Sequence, residues 1–375
     1  VNAPGRPDTA GRLGFRDERR FNAPVTDLSE HSLASLEAEL TARGFKASHA
    51  ASLLRGYYRC DGRLPVDDFR VPEGLRDLLR TGAGRTPPIA ARQVADDGTT
   101  KLLIQLEDGR TVESVLMPDF RADRAAGCVS SQVGCAMGCD FCATTKTGFE
   151  RNLTAGEIIA QFLALRREAA AVGRKLQTVV FMGMGEPMLN LAAVTAAIDR
   201  MAPNELGALG WRQITVSTVG IVPGIDALAA SGRNVHLAIS LHAPDDSTRA
   251  QLLPMGKRFE VAAILAAADR YQARTGRPVS LQYCLLDGVN DSLEQASLLA
   301  RQLEGRRMHV NLLRYNPTGV SLRGVVYAAT PEARAETFLG HLRSQGVVAH
   351  FRRSRGKQID AACGQLRRRV LFPAD

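Results

Sequence analysis

The chain has 375 residues, 45% of them hydrophobic and 23% charged, ordinary values for a globular protein of about two domains with one large core. A formal net charge of +9 and a pI near 9.5 favour a polyanionic partner, most simply nucleic acid. No run of about eighteen apolar residues occurs and the N-terminus lacks a secretory apolar core, so no membrane partner and a cytoplasmic location are expected. Seven cysteines in a reducing compartment speak for metal or redox chemistry and against a secreted disulfide framework.

In chain order, residues 1–25 are polar and Arg-rich without apolar period, which predicts a mobile arm. Residues 26–88 form a small helical domain in the pattern of Leu33, Leu36 and Leu40, then Leu53, Leu54, Tyr57 and Tyr58, then Leu75, Leu78 and Leu79. Breaks at Gly44, at Gly62 to Pro65 and at Pro72 divide it. Its Arg43, Lys46, Arg55, Arg59 and Arg63 suit RNA contact, with a plain solvated bundle as the alternative. Over 89–120, two-residue alternation around Asp97-Gly98 and Asp108-Gly109 predicts a three-stranded meander that delivers Glu113 toward the cysteine stretch.

A core over 121–355 follows. Thr154 to Glu157 is a capping box opening a helix with Ile158, Ile159, Phe162, Leu163 and Leu165 on its apolar face. Strands read at Cys128–Val133, Thr178–Met182, Ile214–Thr218, His236–Leu241, Val279–Leu285 and His309–Arg314, each with a helical segment behind it. Short apolar strands alternating with helices predict a parallel α/β sheet with right-handed crossovers. Six units fall two short of a closed eightfold barrel, so an open barrel with a lateral mouth is expected. Residues 345–375 give one more strand and then, over 356–375, a loop of small residues holding Cys363.

The chemistry concentrates in residues 128–151, where Cys135, Cys139 and Cys142 are spaced C-x3-C-x2-C between Gly134, Gly138 and Phe141. Three thiolates without a fourth ligand at finger spacing make a poor zinc site. On an iron–sulfur cube they leave one iron open to a substrate or cofactor. Three unrelated buried cysteines are the plain alternative. GMGEPMLN begins just past a strand, so Gly185 lets backbone approach a ligand and Glu186 offers a carboxylate to an ammonium. Ser217, Ser240, His242 and Asn316 also fall at or beyond strand ends. Each alone is more readily structural, but as a set they suit a polar small molecule. Cys128 lies too far back to join the three, and Cys363 sits near the far terminus; a nucleophile paired with a resolving cysteine uses both. Cys60 and Cys284 read as structural.

CVSSQVGC, the three-cysteine spacing, GFERNLT, GMGEP, SLH at 240–242, RYNP and IDAACGQL together resemble the RlmN-type dual-specificity RNA methyltransferases of the radical S-adenosylmethionine (SAM) superfamily, over roughly residues 30–370. The resemblance implies an open six-unit radical-SAM partial barrel with the small helical domain in front and the meander between. It implies a [4Fe–4S] cluster on Cys135, Cys139 and Cys142. SAM, two per turnover, would lie against Gly185, Glu186, Ser217, Ser240, Leu241, His242 and Asn316. Cys363 would carry the methyl group, Cys128 would resolve the adduct through a transient disulfide, and Glu113 would accept a proton. The expected reaction is methylation of adenosine C2 in 23S rRNA and in tRNA beside the anticodon. The expected partners are those RNAs and an electron donor such as flavodoxin or ferredoxin, with the enzyme a monomer. Gly127 departs from the pattern, since a larger apolar residue is expected before the resolving cysteine. A C8-directed relative shares these motifs. Two other readings stay open: a radical-SAM enzyme acting on a small molecule or protein, and a non-catalytic metal-bearing RNA-binding module.

Overall fold

The structure is a computed structural model and describes residues 27–82, 86–254, 258–352, 356, 359 and 364–371. The arm read over 1–25 and Cys363 lie outside the described residues. Three helices come first: α1 (Leu33–Ala42), α2 (His49–Arg59) and α3 (Glu73–Gly82). Ser32 caps α1 by accepting from the Ser35 N–H. The chain breaks fall where Gly44, the Gly62–Pro65 turn and Pro72 predict them. Leu36, Leu40, Leu53, Leu54, Tyr57, Tyr58, Leu75 and Leu79 are buried, whereas Leu33 is 44% exposed, so the α1 stripe is narrower than its leucines suggest.

These helices are not a separate body. Their apolar residues are continuous with the core of the rest of the chain. Polar contacts add to the join: the Glu30 carboxylate accepts from Thr154 Oγ1 and Gly156 N, and Arg200 donates to the Ser29 carbonyl.

The meander β1 (Ile89–Val94), β2 (Thr100–Gln105) and β3 (Thr111–Pro118) turns at the two Asp-Gly pairs. It extends the main sheet, because β3 pairs antiparallel with β4 (Arg124–Cys128). Beyond β4 the strands run parallel: β7 (Lys175–Phe181), β8 (Ile214–Thr218), β9 (His236–Ser240), β10 (Val279–Leu285), β11 (Met308–Arg314) and β12 (Ala349–Phe351). The ten-stranded order is linear from β1 to β12, an unclosed barrel of six strand–helix units plus a seventh parallel strand.

The helices behind the strands are α4 (Ala155–Ala171), α5 (Leu191–Met201), α6 (Val222–Ala230), α7 (Asp246–Leu252), α8 (Val261–Thr275), α9 (Leu293–Leu303) and α10 (Glu332–Ser344). The Thr154/Glu157 capping box opens α4 as expected, and its predicted apolar residues are all buried.

Two expectations need correction. The first barrel strand is Arg124–Cys128, not Cys128–Val133. Past Val129, which still bonds Val180 of β7, the chain leaves the sheet, and Gln132–Gly134 (β5) pairs instead with Phe149–Asn152 (β6) in a separate ribbon. Within 345–375 the last part is not all loop: Gln365–Leu371 forms a helix, α11. Gly127 also has a physical reason, since a Cβ there would stand 2.9 Å from Leu165 Cδ1 and 3.1 Å from Leu176 Cδ1. Strand β4 lies too close to α4 for a side chain.

Candidate active site

The motifs meet at the C-terminal ends of the parallel strands, and the segment Ser130–Gln132 organises them. Ser130 N–H donates to Gln161 Oε1 on α4 (2.8 Å), and Ser130 Oγ donates to the Glu113 carbonyl (2.7 Å) and accepts from Met184 N (2.9 Å). Ser131 N donates to the Met184 carbonyl, and Gln132 Oε1 accepts from Glu186 N at 2.8 Å. The Gly-Met-Gly turn is thus laid against 130–132. Gly185 takes φ +101° there, and a Cβ on it would meet Gln132 Cβ at 2.6 Å. Only glycine fits both conditions.

A cavity of about 770 Å³ opens over this rim. Cys128, Cys135, Cys139 and Cys142 line it with Gly185, Glu186, Ser217, Ser240, His242 and Asn316. Of the expected SAM contacts, Leu241 alone turns its side chain away, into the hydrophobic core. Cys284, read as structural, stands on the cavity wall, where burial pushes its thiol up to about 12. Cys60 is the C-cap residue of α2, away from the cavity.

Burial pushes the Cys135 thiol up to about 12 and Cys139 well above its ordinary value, with the neighbouring thiols adding repulsion. Met137 and Gly185 N–H groups partly offset this at Cys135. Such thiols gain by binding a cationic metal centre as thiolates. Among the described residues no three His, Cys, Asp or Glu side chains could hold a single metal ion. A four-iron cube has a ligand on each corner iron, so its thiolates need not converge on one point. The three cysteines on one cavity wall therefore fit a cluster as its ligands.

Glu186 is fully buried, and desolvation raises its carboxyl to about 7. Its Oε1 accepts from Met188 N (3.0 Å) and its Oε2 from Val219 N (2.8 Å), which fixes its orientation. His242 sits at φ +60° and accepts at Nδ1 from Cys284 N (3.0 Å). Burial holds it near 3, so the ring is neutral and carries its proton on Nε2. Asn290 ties this turn by donating to the His242 and Cys284 carbonyls, both at 2.7 Å.

Glu113 lies on β3, 2% exposed, and meets the C-terminal segment. Its Oε2 accepts from Lys101 Nζ (3.1 Å) and Gly364 N (2.7 Å), and its Oε1 from Arg367 N (2.8 Å). The carboxylate thus caps the start of α11 and holds the residue that follows Cys363.

Sequence reasoning missed Lys101, Arg249 and Asp140. Arg249, 2% exposed, donates to the carbonyls of Val219 and Phe259, with burial lowering it to about 10. It and Glu186 hold the two sides of Val219. Asp140, 1% exposed, accepts from Tyr327 Oη at 2.8 Å. An Asp inside the C-x-x-C and an Arg in a polar helix of modest length carry no periodicity signal, which is why they passed unnoticed.

Residues 129–299 match the family model described as the Radical SAM superfamily. A radical SAM methyltransferase from Sphaerobacter thermophilus of known crystal structure is 42% identical, with TM-score 0.84 over 91% of this chain and 99% of its own. The fold is that of a radical SAM methyltransferase. "Probable dual-specificity RNA methyltransferase RlmN 1" of Opitutus terrae is 65% identical over 91% of this chain and 96% of its own length. The RlmN-named protein of Thermosynechococcus vestitus is 42% identical over 91% and 98%. The chain belongs to the RlmN family of dual-specificity RNA methyltransferases, and superfamily membership implies a [4Fe–4S] cluster and SAM.

Proposed function

We propose that the chain methylates C2 of an adenosine in the peptidyl-transferase region of 23S rRNA, and of an adenosine beside the anticodon in tRNA. The observation that carries this reading is the meeting of three sets of residues. Cys128 shares a cavity with the three-cysteine loop and the Gly185–Asn316 rim, and Glu113 holds the backbone next to Cys363.

Adenine C2 is electron-poor, so direct displacement on a sulfonium methyl group is unfavourable there. A cluster on Cys135, Cys139 and Cys142, with two SAM molecules per turnover, would supply a methyl donor and a hydrogen-abstracting radical when bound. Gly185, Glu186, Ser217, Ser240, His242 and Asn316 would orient SAM, with the Glu186 carboxylate facing its ammonium; Leu241 would contribute through its backbone.

The Cys363 thiolate takes the first methyl group, the donor leaving as S-adenosylhomocysteine. With one hydrogen atom of that methyl given up to the radical the bound cofactors would supply, the carbon joins RNA as a methylene between Cys363 Sγ and adenine C2. The electron left when the C2 proton departs would return to the cluster. Glu113 is the acceptor for the C2 proton. Among the described residues it accepts three hydrogen bonds, against roughly four lone-pair sites on a carboxylate. Cys128 Sγ then attacks Cys363 Sγ. The Cys363 S–C bond breaks, the carbon leaves with its electron pair and a proton as the RNA methyl group, and a Cys128–Cys363 disulfide remains. A one-electron donor protein such as flavodoxin or ferredoxin serves the cluster, and the enzyme works as a cytoplasmic monomer.

Anaerobic turnover with an rRNA fragment, followed by nucleoside mass spectrometry, tests the reading. 2-Methyladenosine is expected. 8-Methyladenosine would assign the chain the C8 reaction instead, and no methylated adenosine would sink both.

A further inference from the structure

The segment 315–330, between β11 and α10, is hydrogen-bonded to the cysteine loop. Tyr327 Oη and Arg323 N both donate to the buried Asp140 carboxylate, at 2.8 and 3.2 Å. Thr318 Oγ1 donates to the Phe141 carbonyl (3.2 Å), and Lys146 Nζ donates to the Thr318 carbonyl (2.5 Å). Asp140 and Phe141 are the two residues between Cys139 and Cys142. Ser321 N donates to the Val325 carbonyl (2.8 Å) and Ser321 Oγ accepts from Val325 N (3.0 Å), closing a compact turn.

That turn points its apolar side chains outward. Val320 is 60% exposed, Leu322 59%, Val325 42% and Val326 70%. Four exposed aliphatic residues within seven positions form a patch that a solitary monomer has no reason to keep wet. Basic groups stand around it: exposed Arg323 within the turn, with Lys146 and exposed Arg368 both bonded to the Thr318 carbonyl at its base. The cavity wall runs as far as Thr318 and includes none of residues 319–327. The patch is therefore next to the cysteines but outside the substrate's space.

We propose that the turn Val320–Val326 is the docking site of a small acidic one-electron carrier protein, which passes its electron to the cysteine loop from outside the cavity. This rests on the reading of Cys135, Cys139 and Cys142 as ligands of a redox-active cluster. An aliphatic centre with a basic rim is complementary to an acidic carrier with an apolar tip. RNA is the poorer occupant, because protein surfaces that bind single-stranded RNA combine cations with stacking aromatic rings and the turn Val320–Val326 has no aromatic ring. The connection inward is short: Val326 is bonded to Tyr327, which is hydrogen-bonded to Asp140, which is bonded to Cys139. The carrier is oxidised by one electron and the cluster reduced by one; no bond forms or breaks.

The test uses the reconstituted full chain, photoreduced flavodoxin as the carrier, and dithionite as a small reductant that needs no docking surface. Leu322→Asp/Val326→Asp should weaken flavodoxin affinity by calorimetry about tenfold or more and slow flavodoxin-driven bleaching of the cluster in parallel. Dithionite-driven bleaching and affinity for an rRNA fragment should stay at wild-type values. Arg323→Glu, which leaves the apolar centre intact, should lower the association rate and flatten its salt dependence. Unchanged flavodoxin affinity and reduction in the double variant would overturn the proposal, as would lost RNA affinity with flavodoxin binding intact. If dithionite bleaches no cluster even in the wild-type chain, the cluster reading fails first and the docking site falls with it.

Discussion

The rim of the barrel and the N-terminal helices are built by opposite means. In α1–α3 the inward face is leucine and tyrosine packed to near-zero exposure, and Lys46, Arg55, Arg59 and Arg63 stand outside in water. At the rim the buried groups are polar: Ser130, Gln132, Asp140, Gln161, Glu186, His242, Arg249 and Asn290 are all 6% exposed or less. An outward lysine can be lost at little cost, because water takes its place. A buried rim group cannot, because its partner is left unsatisfied at roughly 1–3 kcal/mol. Substitutions should therefore act as switches at the rim and as small increments on the helices.

The largest expected effect is at the cysteine loop. Replacing Cys135, Cys139 or Cys142 by Ala should abolish the brown colour, bound iron and sulfide, and all methylation, since three ligands are the minimum for this site. A single-alanine variant with a full iron load and normal turnover would break the assignment. Next come the two other cysteines. Cys128→Ala should stall as a covalent protein–RNA species on denaturing gels, linked through the Cys363 methylene. Cys363→Ala should form none, and the double variant should behave as Cys363→Ala because the steps lie in series. RNA crosslinked to Cys363→Ala would overturn the two-cysteine scheme.

Arg249 sharpens the comparison from the side of stability. Its guanidinium bonds the carbonyls of Val219 and Phe259 from a buried position. Arg249→Met should cost about 3 kcal/mol in denaturant unfolding of the apoprotein, through two carbonyls left unpaired. Arg249→Lys should recover part of that. A loss under about 0.5 kcal/mol for the methionine variant would place Arg249 with the tolerant surface residues. A smaller effect is expected at Gly127. Gly127→Ala puts a methyl group 2.9 Å from Leu165 Cδ1 and should cost about 1–2 kcal/mol. A variant as stable as wild type would mean that α4 yields freely there.

The sequence showed most of the barrel because its signals are local. Ile214–Thr218 and Val279–Leu285 have the bounds their apolar runs predict, and the two Asp-Gly pairs turn the meander. The strand Cys128–Val133 failed because Val129, Ser130 and Val133 look as apolar or neutral as any strand, while only Val129 still bonds β7, through Val180. Ser130 N turns to Gln161 Oε1, Ser131 N to the Met184 carbonyl, and Val133 pairs with Arg151, partners not visible from the run itself. The rim residues Gly185, Glu186, Ser217, Ser240, His242 and Asn316 were legible as strand ends. Leu241 was read with them, but alternation sends its side chain to the opposite face. Lys101 was hidden because its partner Glu113 is twelve residues away on the neighbouring strand, a pairing fixed by hairpin register. Cys284 looked inert for the same reason: only the stacking of β10 beside β9 brings it under His242.

The smallest expected effects lie on the outer face of the helices, where the comparison can be tested by increments. Lys46, Arg55, Arg59 and Arg63 are exposed, and Arg43 is engaged by Glu39 at 2.7 Å. If these four groups face RNA phosphates, each releases about one counterion on binding, contributing roughly 0.9 to the slope of log affinity against log salt. Single alanine variants should then lower affinity for the rRNA fragment only a few-fold at moderate salt and reduce that slope by about one each. Their effects should add, because each phosphate contact is independent, and unfolding midpoints should not move. Arg43→Ala should change the slope less than the others, since its charge is already answered by Glu39. A fourfold alanine variant that binds RNA with the wild-type slope would remove the helices from the RNA surface and leave them as packing alone.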